Sequence, residues 1–117
     1  MDLNQAVAKH LEWKTTLRTA ITRQANLDVK TVSADNCCEL GKWLHSDAKK
    51  QFSNLNSYKN TLQKHAEFHA EAGRVATAIN SKKYAEAETM LGAGTAYAKA
   101  SSAVGIAIGS FKQEAGL

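Results

Sequence analysis

The sequence predicts an all-α fold, an antiparallel four-helix bundle in which one helix is short and bears the cysteines. Three observations lead there. The 117 residues include no proline, so no position forbids a helix interior. Alanine, leucine and lysine are abundant while β-branched residues are scattered, a balance that favours helix. Apolar residues recur three and four apart over three long segments, the period of a helix with one buried face. By its size the chain is one domain, residues 1–117, able to bury a modest core without disulfides.

The first helix starts at Asp2, where Asp2 and Gln5 have the spacing of a capping box. Leu3, Val7, His10, Leu17 and Ile21 then share one face. The pattern fades near Asn26, and Leu27 to Asp35 reads as a connection. A short helix follows, capped by Asp35 or Asn36, running through Cys38 to Leu44 or His45. Ser46 to Asn56 is polar and reads as irregular, with a helical turn at most. The third helix places Tyr58, Leu62, His65, His69, Ala72, Ala76 and Ile79 on one seam, flanked by Phe68 and Val75, and ends at Asn80 and Ser81. The fourth runs from Lys82 to Gln113 with Met90, Ala93, Tyr97, Val104, Ile108 and Phe111 on one face. Glycines at 92 and 94 predict a break or kink within it.

Composition excludes several classes of function. The net charge of +4 is spread among acidic and polar positions, with no basic stripe interleaved with aromatics, so no nucleic-acid partner is expected. No apolar run reaches the roughly 18–20 residues that span a bilayer, so the domain makes no membrane contact of its own. The N-terminus lacks the sections of a signal peptide, and Cys37 and Cys38, being adjacent, form no disulfide framework. A cytoplasmic, reducing location is the expectation.

The histidines carry the chemistry. His65 and His69 lie one turn apart and can present two imidazoles to one ion. Both fall on the apolar seam of their helix, as His10 does on its own. Burying three imidazoles without partners costs on the order of 1–3 kcal/mol each. A shared metal removes that cost; three separately hydrogen-bonded histidines are the alternative. His45 lies on no seam and reads as a surface residue. A cysteine thiolate would complete a tetrahedral zinc set, and spacing alone does not choose between Cys37 and Cys38.

The run Asp35-Asn36-Cys37-Cys38-Glu39-Leu40-Gly41-Lys42-Trp43-Leu44 resembles the signature of the chemoreceptor zinc-binding domain family: a cysteine, a variable residue, an apolar residue, glycine, a basic residue and tryptophan. His10 with Trp13, and His65-Ala66-Glu67-Phe68-His69, resemble that family's other motifs in the same order. The likeness extends from Ala6 to Ile79. It implies zinc as cofactor, held by His10, Cys38, His65 and His69, with the short helix carrying the cysteine ligand. It also implies a bacterial cytoplasmic regulatory domain serving chemotaxis or cyclic-di-GMP signalling. The partners so implied are a chemoreceptor or diguanylate cyclase output domain and a second copy in a homodimer. The signal would be zinc itself or hypochlorous acid, with Cys38 as the redox-sensing thiolate. Around the site, Asp35 would cap the short helix or orient an imidazole, Trp13 and Trp43 would pack over it, and Gly41 would admit a close approach.

Catalysis is not expected. Ala66 follows His65, so the pair is not the metalloprotease motif, and four protein ligands close a zinc site. Glu12, Glu67 and Glu71 fall off the seams, against a di-iron centre. The alternative to a sensor is a helical protein-interaction module, metal-free or with a structural zinc.

Overall fold

The structure, a computed structural model, describes residues 1–117 as seven helices with no strand. They are α1 (Leu3–Arg23), α2 (Val29–Ser33), α3 (Glu39–Leu44), α4 (Asp47–Phe52), α5 (Asn56–Asn80), α6 (Tyr84–Met90) and α7 (Ala96–Ala115). The all-α bundle is as expected. Helix α1 opens as its sequence suggests: the Asp2 carboxylate accepts from the backbone N–H of Asn4 at 3.0 Å and of Gln5 at 3.2 Å.

Helix α5 is the axis of the bundle. Its buried face includes Phe68 and Val75 as well as the expected seam, of which only Leu62 is half-buried, because helices pack on it from several sides. Residues 27–44 descend along α5 in the opposite direction, and four contacts set their register. The Asn80 side-chain amide binds both backbone groups of Leu27, at 2.8 and 2.7 Å. Farther down, Val32 meets His69, Cys38 meets His65, and the Leu44 carbonyl accepts from the Tyr58 hydroxyl. Helices α2 and α3 with the loop between them thus make up the second rod of the bundle, broken into pieces.

Helix α7 runs antiparallel to both long partners. Its end reaches the start of α5 through Glu114 and Ser57, and the start of α1 through Lys112 and Asn4. Thr61 donates to the Ala107 carbonyl midway. The four rods are therefore α1, the α2–α3 segment, α5 and α7, alternating in direction.

Four local expectations are corrected. Residues 27–35 contain helix α2, because Asp28 caps it by accepting from the Thr31 N–H and hydroxyl. Helix α3 is capped by Cys38 itself rather than by Asp35 or Asn36. The polar 46–56 stretch contains α4, anchored by buried Ala48. The helix expected over 82–113 breaks where Gly92 and Gly94 predict, into α6 and α7, but Ala93, expected on its buried face, lies exposed in the turn between them. Gly94 takes φ +77° there, and Thr95 caps α7 by accepting from Ala98 N–H.

Candidate metal centre

Three rods each bring part of one cluster together. His10 comes from the middle of α1, His65 and His69 from adjacent turns of α5, and Cys38 from the head of α3. His10 is 5 % exposed, His65 0 % and His69 1 %. Each of the four residues turns one donor atom to a common point, and all those atoms lie within 4.8 Å of one another.

Five of the six separations among the donor atoms are short enough to share one ion. His65 Nε2 is 3.1 Å from both His10 Nε2 and His69 Nε2. Cys38 Sγ is 3.3 Å from His65 Nε2, 3.6 Å from His69 Nε2 and 3.9 Å from His10 Nε2. Zinc bonds of about 2.0–2.1 Å to nitrogen and about 2.3 Å to sulfur give tetrahedral edges of about 3.3 Å for N···N and about 3.6 Å for S···N. Those five separations match that figure to a few tenths of an ångström.

Hydrogen bonds behind the rings point the same way. His10 Nδ1 donates to the Ala6 carbonyl at 2.7 Å, and His69 Nδ1 donates to the Val32 carbonyl at 3.0 Å. A carbonyl only accepts, so both rings carry hydrogen on Nδ1 and, when neutral, a lone pair on Nε2 facing the centre. His65 Nδ1 is buried without a partner, so that ring has only the cluster to interact with. The His65 ring and the thiol can each donate one proton and bridge some of the gaps. A single dication meets all four donors.

Electrostatics favours the deprotonated nitrogens a metal needs. Burial lowers the pKa of all three histidines from the ordinary value near 6.5, and His65 falls to about 3, with its two neighbouring imidazoles adding to the effect. Burial pushes the Cys38 thiol up, only partly offset by the backbone N–H groups of Gly41 and Leu40. A bound dication reverses that balance and holds the sulfur as thiolate.

A cleft leads to the cluster from outside. Of about 530 Å³, it lies between α1 and the head of α3 and reaches Cys38 and His10, past Trp13 and the Lys9–Glu39 ion pair. His65 and His69 lie behind it.

The other residues singled out by sequence fall in several places. Trp13 stands edge-on to His69, with ring centres 6.2 Å apart, and forms part of the cleft wall. Trp43 packs against Phe111 and Phe52 instead. Gly41 is buried under the Asp35 carbonyl, where a Cβ would collide. The Asp35 carboxylate binds His45, not one of the clustered imidazoles. Sequence reasoning missed His45 as a partner, the Val32 carbonyl and Phe68, whose ring lies 5.4 Å from both His10 and His69. A backbone carbonyl has no residue signature; Phe68 could have been found from its place between His65 and His69.

The sequence model of the chemoreceptor zinc-binding domain matches residues 10–76, more than half of the chain and all four cluster residues. No curated protein and no solved structure matches the chain.

Proposed function

The chain belongs to the chemoreceptor zinc-binding domain family, and on that premise we propose that His10, Cys38, His65 and His69 hold one zinc ion whose loss is the signal. That this is a zinc-binding signalling domain follows from the family and the four-donor cluster together. The reading of its signal goes further and rests on one observation. Cys38 is the only sulfur donor in the cluster, and the cleft reaches it from outside.

When bound, zinc supplies a positive charge that keeps the Cys38 sulfur ionised. An ionised, reachable sulfur is the form that oxidants attack. With hypochlorous acid, the thiolate takes the oxygen and chloride leaves, giving a sulfenic acid. The sulfur thereby loses its negative charge and its strength as a donor. His10, His65 and His69 then remain as a weaker three-nitrogen set, and the chain segment bearing Cys38 is released.

Four protein donors leave no open position for substrate, so the site is regulatory rather than catalytic. The domain would act inside the cell on a chemoreceptor or diguanylate cyclase output domain, and pair with a second copy. No helix is long and apolar enough to cross a membrane.

The test is oxidation of the zinc-loaded protein with substoichiometric hypochlorous acid, followed by peptide mass spectrometry and a zinc-release assay. Cys38 is expected to oxidise before Cys37, with zinc released in proportion. Oxidation of Cys37 first, or Cys38 oxidation without zinc release, would contradict the oxidant reading. Zinc retained under oxidant but exchanged freely with the medium would instead favour sensing of zinc itself.

A further inference from the structure

We infer that the Asp35–His45 pair is a positioning device for Cys38, setting how long the thiolate stays on zinc; this rests on the zinc site proposed above. Cys38 differs from the other three donors in its support. His10 sits in a helix of 21 residues, and His65 and His69 in one of 25. Cys38 is the cap of a six-residue helix, and the residues just before it, 34–37, belong to no helix. Its position depends on how that loop is tied down.

Besides the first backbone bond of the helix, from Lys42 N–H to the Cys38 carbonyl at 2.9 Å, three contacts tie the loop to α3. The Asp35 carbonyl lies against Gly41, where only a glycine leaves room. The Gly41 N–H donates to Cys38 Sγ at 3.3 Å. At the far end of the helix, His45 Nε2 donates to the Asp35 carboxylate at 3.1 Å. The first two contacts fix the middle of the arch, and the third closes it from its opposite ends, ten residues apart.

Helix α3 is a firm base for such a tie. Leu40 and Leu44 are buried, Trp43 packs on Phe111, and the Tyr58 hydroxyl donates to the Leu44 carbonyl. What can move is therefore the 34–38 loop, and Asp35–His45 is its side-chain restraint. The side chains of His45 and Asp35 are 41 % and 29 % exposed, so the tie is of moderate strength.

Zinc transfer from the loaded protein to a competing chelator reads this directly. His45→Ala and Asp35→Ala are each expected to speed transfer about fivefold, the upper range for an exposed pair. The double variant is expected to be no faster than either single one, because both remove the same contact. His45→Gln keeps a donor N–H and is expected to stay within about twofold of the parent. Arg18→Ala, which breaks the exposed Arg18–Glu88 pair between α1 and α6, is the control and leaves the rate unchanged. Unchanged rates in both single variants, a double variant equal to their product, or His45→Gln as fast as His45→Ala would overturn the inference. Failure of the zinc site itself is distinguished by cobalt substitution: the parent would then lack a thiolate-to-cobalt absorption band, whatever the variants did.

Discussion

The Nδ1–H of His69 points at the Val32 carbonyl oxygen, 3.0 Å away, and so ties the donor cluster to α2, a helix that contributes no donor. The ring is fixed on both sides, by α2 behind and by the cluster in front. Removing the metal takes away the front support of His69 and the tie between the Cys38 loop and the long helices, leaving only its contacts with α3. Amides of residues 34–38 are expected to exchange faster once zinc is chelated, while those in the middle of α5 keep their protection. Equal protection in the two states would count against a metal-dependent switch.

Substitution should separate the two neighbouring cysteines. Cys37 is exposed and points its sulfur toward Asn36, whereas Cys38 joins the cluster. Cys38→Ala and His69→Ala are each expected to lower zinc affinity by more than about a hundredfold, beyond what loss of an outer partner does. Cys37→Ser should leave it within about twofold. Isothermal titration against a competing chelator measures all three.

Acid should destabilise the domain. The pKa values of His10, His65 and His69 are lowered in the fold, that of His65 to about 3, while unfolded imidazoles titrate near 6.5. Below pH 6.5 the unfolded chain takes up protons that the folded chain refuses, so stability falls as pH falls through that range. His65, which falls to about 3, contributes about 1.4 kcal/mol per pH unit once pH is well below 6.5, and His10 and His69 act in the same direction. Zinc binding, which needs the same neutral nitrogens, weakens in parallel. Urea unfolding of the metal-free protein at pH 7.5, 6.5 and 5.5 checks this; a constant midpoint would contradict it.

Two buried glycines should respond unequally to alanine. A Cβ on Gly41 would strike the Asp35 backbone carbonyl, which cannot turn aside without moving the Cys38 loop. At Gly73 the first atom met is the Ser33 hydroxyl, which can rotate away, although the Ser33 Cβ behind it is also close. Gly41→Ala is expected to destabilise by about 3 kcal/mol and to weaken zinc binding, and Gly73→Ala by about 1 kcal/mol with zinc binding little changed. Thermal melts with and without zinc decide it.

Much of this was legible in sequence, for a physical reason. The helices that hold the histidines are long and amphipathic, so His10, His65 and His69 could be placed on buried faces by period alone. The choice of Cys38 over Cys37 came from family resemblance, since neighbouring residues near a helix start have no fixed facing. The short elements were obscure because tertiary contacts sustain them: α2, beyond its local Asp28 cap, packs on α5, and α4 is held by buried Ala48 and by Phe52 against Phe111 and Trp43. Asp35 neither caps α3 nor binds a cluster imidazole; its partner His45 comes from the far end of α3 and shares no helical face with it, so period could not pair them.

The most direct test of the central claim is zinc X-ray absorption on protein purified without added metal, together with total zinc content. One zinc per chain is expected, with a first shell of three nitrogens and one sulfur that loses its sulfur in Cys38→Ala. No zinc, or a shell with oxygen in place of sulfur in the unmutated protein, would contradict it.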